Sequence, residues 1–250
     1  MSTKAVLAGT AAGVALALVV TELIKRSKRQ APKSIKLEYF PIEAAAEKVR
    51  LAFVMTDTPF EDVRIPFKEW GARKATAKYG QMPILTIDGK EIYQSRAMVQ
   101  YAGKLGDGSL YPEADALLID EVIGLSDDLA RDWMPGLYSG MNPAKFGYDG
   151  ISDDDKKALV IKMRGKFVSE ILPKYLQWFT DLLNATEGPF FCGGTITIAD
   201  LVVLPQLKIF TKGVVDHVPK DVLEAYPVIT TWMAAMLATP KIKAWYDAQK

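Results

Sequence analysis

The chain has 250 residues, which fits two small domains and an appendage better than one average domain. Its 31 basic and 30 acidic residues leave a formal charge of +1, which gives nucleic acid no bulk field to bind, and 49% hydrophobic against 24% charged residues is the composition of a folded globular chain. The single cysteine, Cys192, excludes an intrachain disulfide and fits a reducing compartment, and the single histidine, His217, excludes a multi-histidine zinc site and leaves little room for a Cys-His or Ser-His nucleophile.

Ala5 to Ile24 is an apolar run whose only charge is Glu22. Its length matches the roughly 20 helical residues that span a bilayer core. Lys25, Arg26, Lys28 and Arg29 follow it, whereas only Lys4 and the terminal amine precede it. Residues 1–33 therefore read as a membrane anchor and basic linker. The positive-inside rule places the rest in the cytosol, on the endoplasmic reticulum or another intracellular membrane. A cleaved secretory signal carries its positive charge before the apolar core, and a mitochondrial presequence is Arg-rich and amphipathic. Gln30-Ala31-Pro32-Lys33 separates the run from the fold.

Ser34 to Phe40 alternates apolar and polar residues and predicts a strand; Ile42 to Met55 has helical spacing. Phe60 to Ile65 is a second strand, and Pro66 to Gln81 reads as a polar connection containing Trp70. Two strands, Ile84 to Ile87 and Glu91 to Tyr93, flank Asp88-Gly89, a favoured hairpin turn pair. Ser95, as N-cap, opens a helix from about Arg96 to Leu105. Beyond Pro112 the pattern is helical, with segments at Ala114 to Trp133, Ser152 to Thr186, one starting near Thr197, and a last near the C-terminus. His217 falls in a loop after a helix and reads as solvated or capping rather than catalytic. Thr197-Ile198-Ala199-Asp200 fits a capping box, which makes Asp200 a structural carboxylate rather than a catalytic one. The strand and helix order describes an α/β thioredoxin-like half at 34–110 and an all-α half at 111–250.

This layout resembles the soluble glutathione transferases, and most closely their sigma class, to which haematopoietic-type prostaglandin D synthases belong. The motifs that carry the resemblance are KLEYF ending near Tyr39, FEDVRIPFKEW from Phe60 to Trp70, YGQMPILTIDG with Met82-Pro83, Gln94-Ser95 before a helix ending in Tyr101, and FCGGTITIADL in the helical half. It covers the chain from about Ser34 to the C-terminus.

The resemblance implies a role for each matched residue. Tyr39 would donate its hydroxyl to the glutathione sulfur and stabilise the thiolate. Met82-Pro83 would be a cis pair, with the Met82 backbone pairing with the cysteinyl backbone of glutathione. Gln94 and Ser95, at a helix start, would hold the γ-glutamyl carboxylate. Trp70, Lys74 and Gln81 fall where the family holds the glycyl end and backbone. Asp128 matches a position that reaches glutathione in the partner subunit, which implies a homodimer. Trp133, Met134 and Leu137 are expected to wall the electrophile pocket, and no metal is expected. The chain departs from the sigma pattern at Ala45, where the family carries an arginine that polarises the tyrosine; Glu47 and Arg50 still match. The expected activity is conjugation of glutathione to hydrophobic electrophiles. Isomerisation of prostaglandins or lipid peroxides, a peroxidase activity, and a non-catalytic glutathione-binding role are the alternatives.

Overall fold

β1, at Ile35–Tyr39, is the strand around which the first half is built, and the computed structural model describes it within residues 32–249. Its neighbours are β2 at Glu61–Arg64 and β3 at Ile84–Ile87, and β4 at Lys90–Ile92 closes the sheet in the order β2-β1-β3-β4. The β1–β2 pairing is parallel and the other two are antiparallel. Parallel neighbours need a crossover, and α1 at Ala44–Met55 supplies it. α3 at Ser95–Gly103 packs beside α1. The β3–β4 hairpin turns on Asp88 and Gly89, both at positive φ (48° and 81°), as a tight two-residue turn demands.

Three expectations need correction here. The stretch read as a polar connection contains a 3-10 turn at Phe67–Glu69 and a short helix, α2, at Trp70–Thr76. That helix buries none of its residues, so its sequence carries no apolar stripe to announce it. β4 runs one residue earlier than expected and ends at Ile92. Ser95 is the first helical residue rather than the N-cap; Gln94 holds that place at φ 73°, and its side chain makes no capping bond.

The second half is helical, and no strand follows β4 among the described residues apart from a single bridge between Phe190 and Gly193. α4 at Ala116–Tyr138 runs past its expected end at Trp133, with Pro135 inside it. α5 at Asp153–Lys166 and α6 at Leu172–Asn184 form the expected long segment, interrupted by a π-helical stretch at Phe167–Ile171. Pro173 explains the interruption: it lacks an N–H, and its ring would meet the carbonyl four residues back. α7 at Ile198–Thr211 buries ten of its 14 residues and packs against both α1 and α4. α8 at Pro227–Ala238 and α9 at Pro240–Asp247 complete the chain.

α7 begins with the expected capping box between Thr197 and Asp200. The fully buried Asp200 carboxylate accepts from Thr197 N (2.9 Å), Phe191 N (3.1 Å) and Trp232 Nε1 (2.9 Å). It ties the preceding loop, α7 and α8 together. One core runs through both halves, from Leu37 and Phe53 to Leu201 and Trp232. Among the described residues no helix is long and apolar enough to cross a membrane; the expected span at 5–24 lies outside them.

Polar contacts also cross between the halves. Glu43, just before α1, accepts from Lys208 Nζ at 2.9 and 3.1 Å, and from Lys212. Burial alone would raise the Glu43 carboxyl, but the bonds and attraction from Lys212 and Lys208 outweigh it and hold the group below its ordinary value. Burial lowers the Lys208 ammonium, so desolvating the partner offsets part of this gain. Glu43→Gln should cost at most about 1 kcal/mol near neutral pH. A carboxyl with a depressed folded pKa contributes stability above its unfolded value and loses it as pH falls through the folded one. The gap between wild type and Glu43→Gln in urea midpoints should therefore close below about pH 4; a gap that widens with acid would contradict the pairing.

Candidate active site

Tyr39 is the last residue of β1, and its ring is buried beneath the turn that leads into α1. That turn has an unusual backbone, with Ala44 at φ 36°, and it sets the Ala45 amide near the Tyr39 hydroxyl. Arg50, one and a half turns along α1, lies beneath, with its guanidinium carbon 5.9 Å from the Tyr39 ring centroid. Burial raises the phenol pKa, the Ala45 amide pulls it down, the nearby Tyr138 raises it and Arg50 lowers it; the net direction is upward. A phenol held this way stays protonated at neutral pH and keeps its O–H to donate.

Arg50 shapes the same turn. Its Nη1 donates to the carbonyls of Ile42 (2.8 Å) and Glu43 (3.4 Å) and to Glu47 Oε2 (3.0 Å). Its Nε donates to Asp62 Oδ1 of β2 at 2.9 Å, while the buried Nη2 has no hydrogen-bond partner. Burial pushes the Glu47 carboxyl up, against hydrogen bonds from Trp245 Nε1 (2.8 Å) and Arg50.

The other expected residues of the first half lie on α2, on the turn before β3 and at the start of α3. Phe40 sets its ring edge-on to Tyr39 (centroids 5.4 Å apart) and to Trp70 (5.9 Å). Trp70 and Met82 pack on the small cluster of Ala77, Ile84 and Tyr93. The Lys74 stem lies across Gly80, beside the exposed Gln81. The Met82–Pro83 peptide bond is cis. Gln94 is exposed at the mouth of α3, and its positive φ is a conformation that non-glycine residues rarely adopt without a local reason.

The helical half is less as expected. Trp133 is an interior residue, packed between Phe167 (4.6 Å) and Phe210 (5.4 Å), and Leu137 packs against the same core. Met134 is half-buried. Tyr138, at the end of α4 and past the expected helix end at Trp133, comes near Tyr39. Asp128 is half-buried and pairs with Arg131 of its own helix at 2.6 Å. Its neighbour Asp127 pairs with Arg96, the second residue of α3, at 3.4 Å. Lys48 of α1 lies by this pair, and burial lowers its ammonium. Among the described residues no group of acidic, histidine or cysteine side chains is placed to hold a metal.

The site thus has a buried phenol donor, a cis-proline edge, a helix N-terminus and a flanking tryptophan and lysine, which together suit a small thiol peptide. Comparison with known proteins agrees. Residues 35–104 match the model of the glutathione S-transferase N-terminal domain, and residues 148–249 match that of the glutathione S-transferase C-terminal domain. Glutathione S-transferase S1 of Drosophila melanogaster is 30% identical over 219 residues, spanning 86% of this chain and 78% of that one. Glutathione S-transferase 4 of Caenorhabditis elegans is 30% identical over 193 residues, 76% of this chain and 87% of that one. Among solved structures, the prostaglandin synthase D of Nilaparvata lugens superposes with a TM-score of 0.71 at 26% identity, covering 87% of this chain and 98% of its own. A glutathione S-transferase of the hookworm Necator americanus, described as monomeric, shares the fold at a TM-score of 0.67 and 22% identity, over 87% of this chain and 98% of its own. The chain belongs to the glutathione S-transferase family, with the thioredoxin-like and all-helical domains of that architecture and glutathione as its substrate.

Proposed function

We propose that this glutathione transferase is of the sigma type and conjugates glutathione to hydrophobic electrophiles through Tyr39. The observation that carries the reading is the buried Tyr39 phenol at the end of β1, with the Arg50 guanidinium carbon 5.9 Å from its ring centroid. The glutathione thiol loses its proton to solvent, the sulfur anion accepts from the Tyr39 O–H, and the sulfur attacks the electrophilic carbon. Trp70, Lys74 and Gln81 hold the glycyl end, the Met82 backbone next to Pro83 reads the cysteinyl unit, and Gln94 with Ser95 receives the γ-glutamyl carboxylate at the start of α3. Asp128 of a second copy meets the γ-glutamyl ammonium in a homodimer; a monomer by light scattering that still bound glutathione would remove that role. The likeness to a prostaglandin synthase D supports a second reading, isomerisation of oxidised lipids by the same thiolate, which a substrate panel separates from conjugation.

The arginine that the family places near this hydroxyl is absent at Ala45. A cation beside a developing thiolate is worth roughly 1 kcal/mol or more, and Arg50 supplies part of it through the ring face. Tyr39→Phe removes one hydroxyl and keeps the ring. The acid limb of the kcat/KM profile should move up by about one to two pH units, with little change in the KM for glutathione. Ala45→Arg should move it down. An unchanged profile in Tyr39→Phe would end the tyrosine mechanism.

The apolar run at 5–24 and its basic flank support an anchor that leaves the folded part in the cytosol. Full-length protein should sediment with membranes and resist carbonate extraction, and protease added to sealed vesicles should digest the folded part. Full-length protein recovered in the soluble fraction would contradict the anchor.

A further inference from the structure

Some large apolar side chains left in water stand singly on helix surfaces, such as Leu117 and Ile161, and need no explanation. Phe67 is different. It is 60% exposed, yet it stacks on Phe40 at 4.5 Å between centroids with the planes 18° apart. One face of the Phe67 ring is closed by Phe40 and the other is open to solvent. Phe40 in turn sets its edge against the Tyr39 ring.

The backbone holds this arrangement close to the site. The Ile65 N–H donates to the Tyr39 carbonyl at 2.8 Å, so β2 leaves the sheet beside the end of β1. Pro66 then fixes its own φ, and Phe67 opens the 3-10 turn that leads into Trp70. An exposed phenyl ring in this position is joined to the Tyr39 ring through Phe40.

We propose that Phe67 is a specificity-determining residue, whose open face, backed by Phe40, stacks the flat electron-poor arene of an electrophile during attack by the glutathione sulfur. The proposal rests on Tyr39 being the thiolate donor. A planar ring gains stacking geometry beyond area burial on such a ledge, whereas an aliphatic chain gains area alone. With a chlorodinitrobenzene, the carbon–sulfur bond forms at the ring carbon, the carbon–chlorine bond breaks and chloride leaves, the thiol proton having gone to solvent. With a medium-chain 2-alkenal, sulfur adds to the β-carbon and the enolate takes a proton from water.

The test compares the full chain with Phe67→Ala and Phe67→Tyr, using 1-chloro-2,4-dinitrobenzene and trans-2-nonenal. Phe67→Ala should lower kcat/KM for the arene by about three- to tenfold and leave the alkenal and the KM for glutathione within about twofold. Phe67→Tyr, which keeps the ring, should retain the wild-type preference. An equal fall on both electrophiles, no fall on the arene, or a raised KM for glutathione would overturn the ledge. Failure of the Tyr39 reading gives a different pattern, an unchanged pH profile in Tyr39→Phe with both electrophiles.

Discussion

The buried guanidinium of Arg50 is the constraint on which the rest of the site depends. Its side chain is fully buried, and so is that of its ion partner Glu47. A charge taken out of water is tolerated only when it is paired, and removing one partner of such a pair costs about 3–5 kcal/mol. Arg50 meets that requirement by binding four groups: Glu47, Asp62 and the carbonyls of Ile42 and Glu43. The two carboxylates carry the connection outward. Asp62 also accepts from Arg64 at 2.8 Å, and Glu47 accepts from Trp245 of α9. A single cation thus joins β2, α1, the turn after β1 and the last helix.

That joint has a chemical consequence. By holding the Ile42 and Glu43 carbonyls, Arg50 sets the path of the turn through Ala44, and the turn sets the Ala45 amide near the Tyr39 hydroxyl. An arginine side chain at position 45 would place a full charge near the oxygen. Here a backbone dipole takes that place, while the full charge acts on the ring from below. A cation over an aromatic face is worth about 0.5–2 kcal/mol, more when desolvated, so Tyr39 is supported but less strongly polarised. The Glu43 contacts with Lys208 and Lys212 brace the same turn from the helical half.

Much of this was legible in the sequence where a local rule applied. The alternation that ends at Tyr39, the Asp88-Gly89 turn and the Thr197–Asp200 capping box are all short-range patterns with one physical solution each. The match to a known family pointed to Trp70, Met82-Pro83 and Gln94-Ser95 on the first half. The misses have equally local causes. α2 buries nothing and so has no periodic signature. The expected end of α4 at Trp133 falls short of Tyr138, where the helix stops. Spacing along a helix does not reveal that Trp133 packs against Phe167 and Phe210. Arg50 read as one more matched residue of α1, and only tertiary structure shows it beneath Tyr39. The stacking of Phe67 on Phe40 is likewise invisible in sequence, since their segments meet only through the parallel pairing of β1 and β2.

The central claim is that this chain lowers the pKa of bound glutathione without an arginine at position 45. The direct measurement is an ultraviolet thiolate titration of glutathione on the wild-type protein, set against free glutathione in the same buffer. A free thiol of this kind ionises near about 8.5. The account predicts a bound value below the free one. A bound value equal to or above it would contradict the account and leave a protein that holds glutathione without activating it.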